Sequence, residues 1–160
     1  MPVQVYLLLG SNQGDSLQIL LQAQQHISRE LGHIITASSC YKSAAWGKTD
    51  QPDFYNQVLH VETRLSPQQA LSTLQTIERE LGRIRVTKWG PRLIDIDILL
   101  WGDLILKTDH LIIPHPGIAS RRFTLMPLAE IAPELIHPVT QKSIRKMLEE
   151  CPDHLAVTRL

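Results

Sequence analysis

The sequence lacks most features that mark membrane, secreted and nucleic-acid-binding proteins. Its 160 residues include two cysteines, and sixteen basic residues balance sixteen acidic ones. The longest apolar runs have the length of strands, far below the roughly 18 residues of a membrane-spanning helix, and no basic segment precedes the first apolar run as in a secretory signal. Balanced charge disfavours a generally basic nucleic-acid-binding protein. We therefore expect a cytoplasmic protein with no membrane or nucleic-acid partner, in which Cys40 and Cys151 are free thiols.

Standard nucleotide-binding and nucleophile motifs are also missing. The turn Gly10–Gly14 has neither the Lys-Ser/Thr ending of a P-loop nor the glycine pattern of a dinucleotide site. No Ser-His-Asp or Cys-His pattern of a nucleophilic enzyme is visible. What is present is an ordinary globular composition, 43% hydrophobic and 20% charged, in a chain with the length of one domain.

A strand and a helix are predicted at the start of the chain. Val3–Leu9 is rich in strand formers and is followed by turn residues, which is typical of a buried strand. Asp15 or Ser16 then caps a helix, and we expect Gly32 to end it in the left-handed conformation that glycine adopts without penalty. Residues 33–41 resume a strand pattern. The helix should bury the apolar residues that recur at helical spacing, which are Leu17, Leu20, Leu21, Ile27 and Leu31.

A second unit has the same order. Residues 56–62 alternate as a strand does. Ser66 caps the next helix, with Pro67 at its first position and Gln69 three residues after the cap. Leu93–Trp101 supplies the following strand. The predicted buried stripe and last residue of this helix are Ala70, Leu74, Ile77, Leu81 and Gly82.

Strand–helix–strand twice over predicts an α/β protein of the α+β type. The order is that of a ferredoxin-like βαββαβ core, with a largely antiparallel sheet flanked by helices. The segment after Gly102 is less regular, with short helices near residues 127–132 and 143–150. No low-complexity linker separates it, so we expect a C-terminal extension of one domain that spans residues 1–160.

Two carboxylates lie close together in the last predicted core strand. Asp95 and Asp97 should point to one face of the sheet, while Ile94, Ile96 and Ile98 point to the other. Such a pair repels itself unless something neutralises it. Magnesium does so, because it prefers oxygen ligands and binds one or two carboxylates together with substrate phosphates. The alternative is a solvated face with ion pairs to Arg or Lys; the apolar surroundings favour the metal.

Basic residues flank this pair. Arginine binds phosphate oxygens in bidentate fashion, so basic clusters beside a magnesium site favour a polyphosphate ligand. The alternative is a solvated charged surface. The basic residues are Arg83, Arg85, Lys88 and Arg92 upstream, and Arg121 and Arg122 downstream.

One histidine and several aromatic residues are further candidates. Two prolines fix the backbone around His115, which could donate a hydrogen bond to a phosphate or serve only the turn. Aromatic residues in turn-rich segments suit stacking on a flat heterocycle, although core filling is their commoner role. Asn56 offers a donor and an acceptor to a ring edge. The aromatic residues are Trp46, Phe54, Tyr55, Trp89 and Phe123.

Six segments, in order along nearly the whole chain, resemble the signature of the 6-hydroxymethyl-7,8-dihydropterin pyrophosphokinase family. The Asp-x-Asp segment is the most specific of them. The segments are residues 10–15 (GSNQGD), 50–56 (DQPDFYN), 88–99 (KWGPRLIDIDIL), 113–116 (IPHP), 121–123 (RRF) and 127–133 (PLAEIAP).

The resemblance implies a ferredoxin-like enzyme of folate biosynthesis. Such an enzyme transfers the pyrophosphoryl group of ATP to the hydroxymethyl oxygen of the pterin and releases AMP. Both substrates are small molecules, two Mg²⁺ ions assist, and we expect a monomer. Two metals can steady the attacking and leaving oxygens, and transfer of this type needs charge neutralisation and positioning more than a covalent nucleophile.

The resemblance also assigns residues. The catalytic residues would be Arg83, Arg92, Asp95, Asp97 and His115, with both magnesium ions on Asp95 and Asp97. The ATP-binding residues would be Gln75, Glu78, Arg85, Lys88, Trp89, Arg92, Ile98, His115 and Arg121. The pterin-binding residues would be Ser43, Ala44, Ala45, Trp46, Phe54, Asn56, Trp89, Asp95 and Phe123. Phe54 and Phe123 would sandwich the ring, and the loop with Trp89 resembles a mobile flap.

Some positions depart from the family pattern. Lys88 stands where the family usually has arginine, so the charge is kept and the bidentate fork is lost. Gly117 and Ser120 stand where arginine and glutamate are frequent.

Three other functions share part of the pattern. An RNA-recognition module would need exposed strand aromatics and a basic surface, and a metal-dependent nuclease would need a nucleic-acid groove. The third is a regulatory domain that binds a small molecule without turnover.

Overall fold

The computed structural model describes residues 1–44, 52–82 and 93–160. Within these ranges the strands are β1 (Val3–Ser11), β2 (Gly32–Ala37), β3 (Tyr41–Ser43), β4 (Phe54–Thr63), β5 (Asp95–Trp101), β6 (Leu106–Lys107), β7 (Ile112–Ile113) and β8 (Val157–Arg159). The α-helices are α1 (Ser16–Glu30), α2 (Pro67–Gly82), α3 (Arg122–Ile131) and α4 (Ile144–Glu149), and Ile118–Ser120 form a 3₁₀ helix. No helix of the described ranges has the length and apolar character needed to cross a bilayer.

The main sheet confirms the predicted ferredoxin-like order. Its strands are arranged β5-β1-β4-β3-β8, and β2 pairs with β4 next to β3. Every pairing in it is antiparallel. The core strands β1, β2, β4 and β5, connected through α1 and α2, therefore form the βαββαβ unit. The strands β6 and β7 make a separate small hairpin.

Helices cover both faces of the sheet. On one face, α1 and α2 pack Leu20, Ile27, Leu74 and Ile77 into the larger apolar core. On the other face, α3 and α4 form a second core against strand residues such as Leu8. As a result, the middle of β4 is buried on both sides, over residues 56–59. This explains why its burial does not alternate there as the sequence pattern suggested.

The predicted starts of α1 and α2 are confirmed, and the buried stripe of α1 is partly wrong. Asp15 accepts a hydrogen bond from the Gln18 N–H and caps α1. Ser66 and Gln69 form the reciprocal capping box of α2: each backbone N–H donates to the other's side chain, at 2.9 and 3.1 Å. Leu17 and Leu21, however, are each 48% exposed. They lie on the flank of α1, because Leu20, Ala23 and Ile27 define the face that meets the sheet.

Gly32 does not end α1 in the left-handed conformation that was expected. The positive-φ glycines of the described residues are Gly14 and Gly102, and Gly32 is instead the first residue of β2. A Cβ atom at residue 32 would lie 2.1 Å from the backbone oxygen of Glu62 and 3.1 Å from the Cα atom of Thr63. Glycine is required because β2 and β4 approach each other closely at this point.

We expect Gly32→Ala to lower the free energy of unfolding by about 3 kcal/mol, because the new methyl group overlaps backbone that cannot rotate away. Urea denaturation measures this change. Thr36→Ala, at an exposed position of the same strand, should change stability by no more than about 0.5 kcal/mol. Equal stability of the Gly32→Ala variant and the wild type would contradict the close approach of the strands.

The C-terminal extension is more regular than expected. The third helix begins at Arg122, five residues before the expected start at Pro127, and Pro127 lies inside it. Ser143 caps α4 by accepting a hydrogen bond from the Lys146 N–H. The last strand, β8, was not predicted; it pairs with β3 and so joins the end of the chain to the main sheet.

Glu130 of α3 ties this extension to the segment before β3. Its carboxylate accepts hydrogen bonds from the Tyr41 hydroxyl at 2.7 Å and from the Ser39 N–H at 3.0 Å. The Arg159 guanidinium of β8 lies 3.5 Å away. Burial and the bond to Glu130 raise the pKa of Tyr41 to about 12, so the phenol keeps its proton at neutral pH. These contacts fix β3, which carries Ser43 towards the site described below.

The environment of His137 gives a prediction of how the free energy of unfolding depends on pH. Its Nδ1 accepts hydrogen bonds from the N–H groups of Val139 and Thr140, both at 3.2 Å, and burial lowers its pKa. The unfolded ring therefore binds a proton more readily than the folded one. The contribution of the neutral ring to the free energy of unfolding should be fully present above the unfolded pKa of about 6.5. It should decrease as the pH falls below that value. Burial also lowers the pKa values of His60 and His115, so these two residues should affect the pH dependence of stability in the same direction.

Thermal unfolding between pH 7.5 and pH 5 tests the contribution of His137. The matched variant is His137→Asn, whose side-chain oxygen can accept the same backbone bonds without titrating. Its melting temperature should fall less over this range than that of the wild type. Identical slopes for the two proteins would contradict a buried neutral ring.

Candidate active site

Two rows of cross-strand neighbours lie on the face of the sheet that α3 covers. In the first row, Gly10 of β1 pairs with Asp95 on one side and with Asn56 on the other. In the second row, Leu8 pairs with Asp97 and Val58. Side chains of alternate residues share a face. Both aspartates therefore lie on one face of the sheet, and the isoleucines of the larger core lie on the other face, as predicted. The core isoleucines of this strand region are Ile94, Ile96 and Ile98.

A cavity of about 190 Å³ lies between these rows and the start of α3. It brings together eight of the residues that the sequence nominated for a site. Two residues of β1 complete it. The lining residues are Ser43, Ala44, Phe54, Asn56, Asp95, Asp97, Arg121 and Phe123, together with Leu8 and Gly10.

The floor of this cavity offers a buried hydrogen-bond acceptor. Asn56 is 4% exposed, and its Nδ2 donates to the backbone oxygen of Leu9 at 3.3 Å. Within the described part of the chain, its Oδ1 has no hydrogen-bond partner. A Cβ atom at Gly10 would lie 2.8 Å from Asn56 Nδ2. The missing side chain of Gly10 thus lets the Asn56 amide lie close to β1. A ligand donor that enters the cavity can satisfy the orphan oxygen.

Aromatic and cationic groups form the walls. Phe54 begins β4 and Phe123 lies in the first turn of α3, so two separate elements bring aromatic rings to one cavity. The Arg121 Cζ lies 5.9 Å from the centroid of the Phe123 ring. Two aromatic rings with polar groups at the edge suit a flat heterocycle with donors and acceptors on its rim.

A second cavity, of about 310 Å³, lies beside the edge strand β5. Asp97 lines both cavities, so the two cavities adjoin the same residue. Two nominated ATP contacts, Ile98 and His115, line the second cavity. Its other lining residues are Leu71, Ile96, Asp109, His110, Leu111, Ile112 and Pro116.

The backbone holds His115 in a defined position and protonation state. The backbone N–H of His115 donates to the backbone oxygen of Leu99 on β5 at 2.9 Å. The ring Nδ1 accepts a hydrogen bond from the backbone N–H of Gly117, also at 2.9 Å. The proton of the neutral ring must therefore sit on Nε2. Burial lowers the pKa of His115, with Arg121 acting in the same direction and Asp97 opposing it. At neutral pH the ring is a neutral donor through Nε2.

The nominated residues of α2 lie beside the second cavity. Leu71 lines that cavity, and Gln75 and Glu78 follow it at helical spacing on the same side of α2. Glu78 accepts a hydrogen bond from the Ile96 N–H at 2.7 Å and thereby holds α2 against β5. Gln75 is exposed, and neither residue is among those that line the two cavities described above.

Several nominated residues lie outside the described ranges. The pterin candidates among them are Ala45 and Trp46, and the catalytic and nucleotide candidates are Arg83, Arg85, Lys88, Trp89 and Arg92. Sequence reasoning also missed Leu8 and Gly10. The pairing of Gly10 with Asn56 would have indicated that Gly10 belongs to the site. The sequence does not reveal this pairing, because β1 is buried on both faces and shows no alternation that tells one face from the other.

The carboxylates fit the expected magnesium. Asp95 and Asp97 are half-buried on one face of a single strand, where a metal ion can reach their oxygens from a cavity. Carboxylate oxygens on a rigid strand, open towards a space of ligand size, are the donor set that Mg²⁺ shares with substrate phosphates. The chemistry of the site therefore suits the ion.

Comparison with known proteins agrees with this geometry. The family model described as 7,8-dihydro-6-hydroxymethylpterin-pyrophosphokinase (HPPK) matches residues 6–133. The chain is 42% identical over 153 residues to the 2-amino-4-hydroxy-6-hydroxymethyldihydropteridine pyrophosphokinase of Haemophilus influenzae, covering 95% of each chain. It is 44% identical over 150 residues to the folic acid synthesis protein fol1 of Pneumocystis carinii, but this match spans only 20% of that longer protein.

Solved structures agree on the fold. The crystal structure of Plasmodium falciparum HPPK-DHPS matches with a TM-score of 0.76 over 94% of this chain and 45% of that one, at 18% identity. Fold and site together define an α+β protein of ferredoxin-like topology, with two cavities that are both lined by Asp97. Within that class, the chain belongs to the HPPK family.

Proposed function

We propose that this chain transfers the pyrophosphoryl group of ATP to the hydroxymethyl oxygen of 6-hydroxymethyl-7,8-dihydropterin, releasing AMP, as a step of folate biosynthesis. The observation that carries the proposal is the pair of cavities that share Asp97. One cavity has aromatic walls and a buried acceptor, and the other lies beside a histidine donor. Two different small molecules can therefore both approach Asp97. Membership of the HPPK family supports the same assignment.

The pterin would occupy the cavity with aromatic walls. Phe54 and Phe123 stack on the two faces of its ring, and Asn56 Oδ1 accepts a hydrogen bond from its amino edge. Ser43 and Ala44 at the end of β3 close the pocket with their backbone, and Ala45 and Trp46 would continue it. Gly10 lines the same cavity and accommodates the Asn56 amide beside β1.

ATP would bind on the other side of Asp97. His115 Nε2–H donates to a phosphate oxygen, and Ile98 contributes an apolar wall. Arg121 neutralises phosphate charge beside the pterin pocket. Gln75 and Glu78 would border the nucleotide from α2. The remaining contacts, phosphate charge neutralisation above all, would come from Arg83, Arg85, Lys88, Trp89 and Arg92.

Asp95 and Asp97 would hold two Mg²⁺ ions. When bound, these ions neutralise the phosphate oxygens and orient the triphosphate for in-line attack. The pterin hydroxymethyl oxygen forms a bond to the β-phosphorus of ATP, the bond between the β-phosphorus and the α,β-bridging oxygen breaks, and AMP leaves with that oxygen. The proton of the hydroxyl group passes to solvent. No covalent nucleophile of the protein is needed, because positioning and charge neutralisation supply the catalysis.

We propose further that residues 1–160 form one catalytic domain that acts as a monomer in the cytoplasm, where ATP is available, on small molecules and not on nucleic acid. The balanced net charge supports the exclusion of nucleic acid.

Analysis of the nucleotide product tests the proposed function. The protein is incubated with ATP and Mg²⁺, with and without 6-hydroxymethyl-7,8-dihydropterin. AMP should form only when the pterin is present. Formation of ADP would indicate an ordinary kinase, and a folded protein that binds pterin without turnover would indicate a regulatory binding domain. Either result would overturn the proposal.

A further inference from the structure

Gly117 lies between the two phosphate-binding candidates of the C-terminal half, His115 and Arg121. It precedes the 3₁₀ helix Ile118–Ser120, and its N–H donates to His115 Nδ1 at 2.9 Å. Its backbone conformation is φ −89° and ψ 0°, which residues other than glycine also adopt at the third position of type I turns. The backbone therefore does not explain why glycine occupies this position.

The space beside Gly117 does explain it. A Cβ atom at residue 117 would lie 2.8 Å from Nε, 2.9 Å from Cζ and 3.2 Å from Cδ of Arg121. Three consecutive atoms of the arginine side chain thus lie directly over the glycine. The same guanidinium reaches the ring of Phe123 and the cavity that contains Asp97. Residue 117 is the place where the arginine folds back before it enters the site.

From this geometry we infer that Gly117 is a positioning residue, whose missing side chain sets the location of the Arg121 guanidinium in the cavity that Asp97 also lines. The inference rests on the proposed function and deepens it. The space that a side chain at residue 117 would fill is taken by Arg121, so the position of Arg121 depends on residue 117 being small.

Gly117→Ala separates this role from folding. Alanine fits the backbone conformation and keeps the N–H bond to His115, and fixing the backbone in this way tends to stabilise a protein. The melting temperature should therefore be unchanged or slightly raised. The flexible Arg121 side chain must move away from the new methyl group, and kcat/KM for ATP should fall roughly tenfold, within the range that small misplacements of a positioning group produce.

A double-mutant cycle with Arg121→Gln supplies the readout that a merely structural role would not change. If Gly117 acts through the guanidinium, adding Gly117→Ala to Arg121→Gln should change kcat/KM for ATP less than about twofold. The matched control is Ala119→Gly, which loosens the same turn at an exposed position and should keep wild-type activity. The NMR resonance of the Arg121 Nε–H group should shift in Gly117→Ala and stay in place in Ala119→Gly.

The outcomes are distinguishable. A wild-type protein that makes no AMP with pterin would refute the proposed function itself. An active wild type together with an equally active Gly117→Ala variant would refute only the positioning role. A tenfold loss that persists in the Arg121→Gln background, or that Ala119→Gly reproduces, would also refute it, because the effect would then come from the turn and not from the guanidinium.

Discussion

Asp97→Asn is expected to lower the rate of AMP formation roughly a thousandfold, because it removes the negative charge of a residue that lines both cavities. Asparagine has nearly the same shape as aspartate, and it also relieves repulsion with Asp95 on the same strand face. The free energy of unfolding should therefore stay within about 1 kcal/mol of the wild-type value or rise. Steady-state product analysis and urea denaturation measure the two effects.

Asp103→Asn is the matched control for the loss of one negative charge. Asp103 is exposed in the turn after β5 and lines neither cavity. Its variant should retain wild-type activity and wild-type dependence on Mg²⁺ concentration. If Asp97→Asn kept more than about a tenth of the wild-type rate, the carboxylate would not carry the charge stabilisation assigned to it.

Asn56→Ala should raise KM for the pterin roughly a hundredfold and leave KM for ATP nearly unchanged. A site built to hydrogen-bond its substrate loses several kcal/mol of discrimination when a buried partner is removed, typically about 10²-fold or more in kcat/KM. Asn56 is the residue with the orphan buried oxygen in the aromatic-walled cavity, whereas the second cavity does not include it. Initial rates with each substrate varied in turn give both constants.

Gln57→Ala is the control for loss of a buried amide on the same strand. Gln57 points to the opposite face of the sheet, where its side chain donates to the backbone oxygen of Ser38 at 2.8 Å and accepts from Gln24 at 2.7 Å. Its truncation should cost stability and leave KM for the pterin unchanged. Equal effects of the two variants on that constant would mean that Asn56 acts through strand stability and not through the ligand.

Local chemistry explains which parts of the fold could be predicted. The capping box of Ser66 and Gln69 depends on residues three apart, and it forms as expected. The alternation of Asp95 and Asp97 with isoleucine fixes their face for the same reason. Gly32 differs: its role comes from β4, which is distant in sequence, so no local signal separates a close approach from a helix cap. The short strands β6, β7 and β8 contain two or three residues each, too few to show a period.

The residues of the site also fall into those that the sequence could predict and those that it could not. Residues within strong motifs, such as Phe123 and Asn56, could be nominated from sequence, and the structure brings them to one cavity. Gly10 and Leu8 could not, because an apolar strand that is buried on both sides shows no preferred face. The bond from the Gly117 N–H to His115 Nδ1, which defines the ring tautomer, also depends on a backbone turn and has no sequence signature.

Mass analysis of the pterin product is the most direct test of pyrophosphoryl transfer at this site. After incubation with ATP and Mg²⁺, the product of the wild-type protein should carry one intact pyrophosphoryl group on its hydroxymethyl oxygen, in a 1:1 ratio to AMP. The Asp97→Asn variant should form almost none of it under the same conditions. A pterin that carries a single phosphoryl group with ADP as the second product, or an unmodified pterin beside hydrolysed ATP, would contradict the assignment.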